Sequence, residues 1–508
     1  MSPSADIRAA LRLGLAVSLT LAALYTALLW AATRGQSGFA DGYDGVGFVL
    51  AVRDFDLARF QPHPPGFPLF VLLSRGLHAI VPSSPSLAVA LVGALILPLG
   101  IGATAAVVSA WAGHFAALLF ALLTGTNVLV FGLGVATLSD GAGLGMALLA
   151  ISGAICSLQR SSIRIGLVAG LLCGVALGVR PQSLTILGLV LGAACGLARQ
   201  QRRPVQRPLL AMLLSTTLAT FAWLLPLGFL VGPQRLITLC LAHAHGHFSD
   251  FGGSMLGAGH DPAARARSLA HTAWTLLAVL GPALCAVALV ALAWLYRARR
   301  SHAANRYLPS ALAVAVSIAY LAYALVATRT SGSGRHLLPL PVGLAFATAP
   351  LVAAAVPRFA ARSFLIGTVL FLAAWNARAV FAFRQSPAPG AQLASSLPSC
   401  QVPVYGARAA RYVDLICGSG SAQPAVYLGE VLSDLERRSN PPHEVLVTSE
   451  VLASSASQAR LRTLRRYCIN ADVPAILRFD AGSVPAHHLG PAAIGLGCVE
   501  LLAYRVLP

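Results

Sequence analysis

Lysine is absent from all 508 residues, and glutamate is absent between Met1 and Arg384, where the only carboxylates are eight Asp. Charged residues make up 10% of the chain and hydrophobic ones 57%, whereas soluble proteins average about 25% charged. That scarcity excludes an ordinary soluble globule. Apolar runs near 20 residues recur instead, the pattern of a polytopic helical membrane protein. The first run, Leu13 to Thr33, is too long for a signal-peptide core and lacks a clear small-residue cleavage site, so it reads as a retained span.

A net charge of +19 points at first to nucleic acid. The distribution argues against such a partner. The basic residues of the apolar part cluster in short connections: Arg160 and Arg164; Arg199, Arg202, Arg203 and Arg207; Arg297, Arg299 and Arg300; Arg358 and Arg362. This is the positive-inside pattern of a chain whose partner is the lipid bilayer. Abundant Ala and Arg without Lys is the bias of a GC-rich bacterial genome, which points to a bacterial inner membrane.

The expected spans are 13–33, 65–82, 86–110, 139–158, 163–180, 183–198, 208–232, 269–296, 307–327, 337–356 and 363–383, plus the stretch 112–136. With the Arg clusters inside, loops 34–64, 233–268 and 328–336 and the tail after Arg384 face outward. The stretch 112–136 must then cross twice or not at all. Two full crossings need about 40 residues, so two short, broken helices around Thr124-Gly-Thr126 are expected, for about 13 transmembrane helices in all. The fold class is therefore an all-α polytopic membrane domain, 1–384, followed by an extracytoplasmic α/β domain, 385–508. In the latter, strands are expected at 444–448, 475–478 and 499–506 and helices at 426–438 and 457–468.

Nine cysteines divide between the two parts. Cys156, Cys173, Cys195, Cys240 and Cys285 lie in or beside apolar runs and read as small hydrophobes. Cys400, Cys417, Cys468 and Cys498 lie in the tail, where an oxidising outer face permits two disulfides. Sequence proximity favours Cys400–Cys417 and Cys468–Cys498 among the three pairings.

Four of the eight Asp fall between positions 41 and 56, directly after the first span. Ionisable groups beside a bilayer are costly to hold and usually have a task. Phe48, Val52 and Phe55 recur at helical spacing, so 45–58 reads as a short amphipathic helix lying in the interface. Asp44 sits where it begins, as a cap, as an acid facing a cleft, or as both. Asp54 and Asp56 read as a solvated face beside Arg53 and Arg59. The run Pro62-His63-Pro64-Pro65-Gly66-Phe67-Pro68 stiffens the approach to the next span and holds His63 at its mouth, as a strut or as an acid or base.

Asp44-Gly-Val-Gly-Phe48-Val-Leu-Ala51-Val-Arg53, followed by His63-Pro64-Pro65-Gly66-Phe67-Pro68-Leu69, resembles the first-loop signature of GT-C glycosyltransferases, in particular their protein O-mannosyltransferase-like branches. Ser139-Asp140 at the start of a span, Gly174 through Gly178 to Arg180-Pro181, and Arg335-His336-Leu-Leu-Pro339 extend the similarity. The layout covers residues 10–383 and the sharp motif about 30 of them. The resemblance implies a polyprenyl-phosphate-linked sugar donor and an Asp base, which is Asp44 here. The family often carries a second acid directly after that Asp. Gly45 stands there, so the partner is Asp41 or is missing, and a divalent metal is left open with no cofactor certain.

The residues suit this chemistry. Phosphate leaves as a stable anion, so one carboxylate base suffices where glycoside hydrolysis needs two. The leaving group does need cations; Arg335, with His336 beside it, and Arg180 face outward by topology, unless they only snorkel at span ends. Asp140 either binds acceptor, organises an Arg or caps its helix. His243 and His247 share a helical face; their spacing could hold a metal, but no Cys or Glu supports one, and a substrate-facing loop is the favoured reading. The expected function is transfer of sugar to an acceptor (protein, lipid or glycan) on the periplasmic face. The alternative is a transporter or flippase of a lipid-linked glycan, which would favour inverted repeats and charges in mid-span, and neither is found.

Overall fold

The structure, a computed structural model, describes residues 3–34, 39–82, 84–182, 204–248, 308–327, 334–356 and 359–385, with isolated positions between 270 and 288. Of the tail it describes 400–401, 403–406, 411–418, 422–424, 428–438, 444–448, 461–470 and 498–506. The helices of the apolar part are α1 (Pro3–Thr33), α2 (Gly42–Arg53), α3 (Pro68–Ile80), α4 (Pro85–Ala112), α5 (His114–Gly125), α6 (Val128–Gly134) and α7 (Ser139–Arg160). They continue with α8 (Ile163–Val179), α9 (Gln206–Val231), α10 (Pro233–Phe248), α11 (Leu308–Ala327), α12 (Pro339–Ala355) and α13 (Phe359–Gln385). Short 3-10 turns at Leu57–Arg59 and Gly334–Leu337 precede α3 and α12. The tail holds β1 (Val404–Gly406), α14 (Arg411–Cys417), β2 (Ala422–Pro424), α15 (Leu428–Arg437), β3 (Glu444–Thr448), β4 (Leu461–Asn470) and β5 (Cys498–Val506).

Among the described residues five helices are long and apolar enough to cross a membrane, or six if one bent pair forms a single span. Four shorter apolar helices accompany them. All sit where apolar runs placed spans. The expected spans 183–198 and 269–296 lie outside the described residues, apart from the isolated positions. α1 packs on α4, α4 on α7, α7 on α8 and α8 on α9. The outer face of α9 is left apolar and open, with Leu218 71% and Phe229 83% exposed, as a lipid-facing surface requires.

The bent pair is α5 and α6, which turn by 68° at Thr126-Asn127, where two short, broken helices were expected. A broken helix frees backbone groups that lipid cannot satisfy, and four of them are met here by side chains. The Tyr25 hydroxyl donates to Gly125 O at 2.6 Å, and Asn376 Nδ2 donates to Thr126 O at 2.8 Å. Asn127 Oδ1 accepts from Leu129 N and Val130 N and so caps α6. The break aims the α6–α7 turn, residues 135–138, at the start of α2, where Thr137 meets Asp41.

The tail forms a five-stranded sheet in the order β2-β1-β3-β5-β4, with β1 parallel to β2 and β3 and the other two pairs antiparallel. Strands 444–448 and 499–506 and the helix at 426–438 were expected, whereas 457–468 was not a helix. Leu461, Leu464 and Cys468 recur at helical spacing, but pairing with β5 along β4 overrides that local pattern. The expected strand 475–478 lies outside the described residues. α14 packs against α2, and its Tyr412 hydroxyl donates to Ala40 O at 3.4 Å.

Cys400 and Cys417 form a disulfide across α14 with Cα atoms 5.4 Å apart, the first of the two expected pairings. Cys468 lies opposite Glu500, and Cys498 opposite Asn470, on adjacent strands; their side chains lie outside the description. Alkylation of the unfolded but unreduced protein is expected to spare Cys400 and Cys417, and reduction should expose both to the reagent. Detection by mass spectrometry of carbamidomethyl groups on either before reduction would contradict the bond.

Candidate active site

α2 is a buried helix and not the interfacial one expected over 45–58. It runs from Gly42 to Arg53, and Val46, Phe48, Val49, Leu50, Ala51 and Val52 are all buried. The apolar spacing that suggested one face is in fact part of an all-round apolar surface, because α3, α4 and α14 surround the helix. Asp41 holds the N-cap position and Asp44 stands in the first turn, where a carboxylate meets the positive end of the helix dipole. At the other end Arg75 of α3 donates to Ala51 O at 2.9 Å and to Val52 O at 3.1 Å, closing the open carbonyls.

The position of α2 is set by one threonine. Thr137, in the α6–α7 turn, donates from its backbone N to Asp41 Oδ2 at 2.6 Å and from its hydroxyl to the same oxygen at 3.0 Å. Its Oγ1 also accepts from Asp41 N at 2.7 Å. A Cβ on Gly45 would lie 2.6 Å from that Oγ1, so position 45 has no room for the second acid that the family resemblance calls for. Asp41, the other candidate for that acid, is braced by Thr137 through one carboxylate oxygen, Oδ2.

The acids expected as a solvated face do more in the loop after α2. Asp56 Oδ1 accepts from Ala58 N and Arg59 N, and its backbone pairs with Gln61. Asp54 meets Arg59 at 3.4 Å on the surface. Leu57 packs with Leu227 of α9 and Leu236 of α10, which docks α10 on the loop. His63 is held edge-on by Phe48 and tilted against Phe67, with ring centroids 5.7 and 4.8 Å away, and its ring lies 5.3 Å from that of His243 of α10.

The polar candidates converge here. Arg335 Nη1 lies 2.6 Å from Asp44 Oδ2, and His63 Nδ1 lies 3.5 Å from Asp44 Oδ1. Arg180 Nη2 lies 2.8 Å from Asp140 Oδ1, and its Nη1 donates to Ser139 Oγ at 2.8 Å. Arg180 can lie along α7 because Gly143 carries no side chain: a Cβ there would come within 2.6 Å of Arg180 Cβ. The Tyr320 hydroxyl of α11 donates to His336 O at 2.8 Å and so fixes the turn that carries Arg335.

Burial pushes the Asp44 carboxyl up, but His63 when it is charged, and Arg335 and Arg180 at any pH, with the Arg335 hydrogen bond, outweigh it and hold the group below the usual carboxylate range. Burial pushes His63 down to about 4, against the pull of Asp44. His63 is thus neutral near pH 7, and its approach to Asp44 is not a full ion pair. The permanent counter-charge of Asp44 is Arg335.

Of the residues singled out from the sequence, Asp44, His63, Asp140, Arg180, His243 and Arg335 come together. His336 contributes its backbone carbonyl. His247 lies one turn beyond His243 on α10, with its side chain outside the description. Thr137 and Tyr320 carry no sequence signal, since each is an ordinary polar residue beside an apolar run. Among the described residues no three His, Cys, Asp or Glu side chains gather as metal ligands. With both carboxylates facing arginines, the donor set does not suit a divalent cation.

No protein-family model matches the sequence, and no curated protein matches it. The solved structure of ArnT from Cupriavidus metallidurans bound to undecaprenyl phosphate is similar with a TM-score of 0.53 at 12% identity, over 96% of this chain and 97% of that one. The apo form of the same protein gives 0.52 at 14% identity, over the same shares of the two chains. At such identities the likeness is one of fold.

Two outcomes follow from this geometry. Gly45→Asp, which adds the missing acid, is expected to push Thr137 away and lower thermal stability and activity together; a stable and fully active variant would show that position 45 has room. In the pH series, unfolded His63 takes up a proton below about 6.5 and folded His63 only below about 4. The unfolded state therefore binds more protons across that window, and stability falls as pH drops through it. Asp44, whose depressed carboxyl keeps its contribution above about 3.8, does not enter. Thermal melts in detergent should lose less stability from pH 6.5 to 4 in His63→Asn than in wild type.

Proposed function

We propose that this chain, which has the GT-C fold of ArnT, is a membrane glycosyltransferase taking sugar from a polyprenyl-phosphate-linked donor. The observation that carries this reading is the buried pairing of Asp44 with Arg335 at 2.6 Å, beside Arg180 and Asp140. Support for the donor class comes from the undecaprenyl phosphate bound to ArnT and from two arginines able to receive a phosphate. The reaction takes place on the outer, periplasmic face of a bacterial inner membrane, where the C-terminal domain (385–508) covers the first loop.

In this reading the acceptor hydroxyl attacks the anomeric carbon while Asp44 takes its proton, and the carbon–oxygen bond to phosphate breaks with its electron pair on the phosphate. Arg335 has two uses in sequence. Paired with Asp44 it keeps the carboxylate weakly basic. When a phosphate oxygen draws it away, burial acts on Asp44 without its nearest counter-charge, and the base strengthens as the hydroxyl must be deprotonated. Arg180, held by Ser139 and Asp140, adds a second cation for the leaving group.

The test is an assay of purified protein with polyprenyl-phosphate sugars. Asp44→Asn is expected to lower kcat by at least ~10²-fold, in the range a positioned base supplies. Unchanged turnover would remove Asp44 as the base. Lipid scrambling in liposomes without any sugar transfer would move the case to a flippase.

A further inference from the structure

We propose that His63 and His243 form the path by which the proton collected by Asp44 leaves the site. The inference rests on the function proposed above and concerns the step after sugar transfer. That step begins with a protonated Asp44 and a polyprenyl phosphate carrying one more negative charge than the donor. Unless Asp44 loses its proton, it cannot act as base again.

Among the described residues, the contacts of Asp44 leave one route. Its side chain faces Arg335 at 2.6 Å and His63 at 3.5 Å. A guanidinium is always charged and has no lone pair to accept a proton. His63 Nδ1 is buried and makes no hydrogen bond, so it stands open toward Asp44 Oδ1. An imidazole that takes a proton at Nδ1 can release the one on Nε2, so no net charge stays on the ring. Among the rings described around it, the one that can carry a proton is His243, 5.3 Å away between centroids.

His243 is half-buried on α10, with the Phe60 ring at 6.2 Å. The relay therefore runs from the buried carboxylate through His63 to the half-buried His243 of α10. The charges facing His63 suit a carrier that does not store a proton. Asp44 of α2 attracts the proton, while Arg335, Arg180 at the end of α8 and protonated His243 of α10 repel it. Each transfer breaks one O–H or N–H bond and forms another, with no redox change and no co-reactant.

The experiment separates this role from that of a strut. In rapid-quench assays with a polyprenyl-phosphate sugar, His243→Ala is expected to complete its first turnover at the wild-type rate. It then slows in the steady state by ~10²-fold, the order of a lost proton-transfer group, with KM for donor unchanged. Added imidazole should restore the steady state. A structural loss would slow the first turnover equally and would not respond to imidazole; that result, or an unaltered kcat in His243→Ala, overturns the relay. Wild-type protein that transfers no sugar overturns the proposed function and the relay with it, whereas normal wild-type transfer with an unaffected His243→Ala overturns the relay alone.

Discussion

Two opposite charges buried against each other at the edge of a bilayer constrain everything around them. Asp44 and Arg335 lie far apart in the chain and meet at 2.6 Å with little solvent on either. Taking both from water costs several kcal/mol per ion unless their geometry and further hydrogen bonds repay it. The surroundings are accordingly stiff. Thr137 pins the start of α2 through Asp41, Arg75 closes its end, and Tyr320 ties down the turn that carries Arg335. A second ion pair, Arg180 with Asp140, is held flat on α7 by the absence of a side chain at Gly143.

The supporting device is the break between α5 and α6. A straight helix over 114–134 would carry the chain away from α1. The 68° turn brings Thr137, Ser139 and Asp140 back to the first loop. Lipid offers no partner for backbone groups freed by such a break, so the turn exists only because Tyr25, Asn127 and Asn376 supply the missing hydrogen bonds. The geometry of the candidate site and the solvation of the break are thus solved by the same few residues.

Much of this was legible from the sequence, for a physical reason. In a chain so poor in charge, each Asp or Arg near a span must justify its cost, which singled out Asp44, Asp140, Arg180 and Arg335. The rule that outer loops be separated by an even number of crossings exposed the broken helix at 124–126. Local periodicity did worse. It assigned α2 to the interface, because an apolar spacing does not reveal how many neighbours surround a helix. It also read β4 as a helix, because the partner strand β5 lies beyond its reach. Thr137 and Tyr320 were invisible, since their roles depend on which oxygen each hydroxyl meets across the fold.

By itself, then, the sequence determined the solvent, the spans at the described positions, the break between two short helices and the acids and bases whose cost has to be justified. These follow from hydropathy, charge cost and chain geometry, which act locally or by simple counting. Only the tertiary structure decided that Asp41 is a brace, that Gly45 has no room for a second acid, and that Arg335 is the counter-charge of Asp44. Those outcomes turn on contacts of a few ångströms between residues remote in the chain, where packing alone selects the partner.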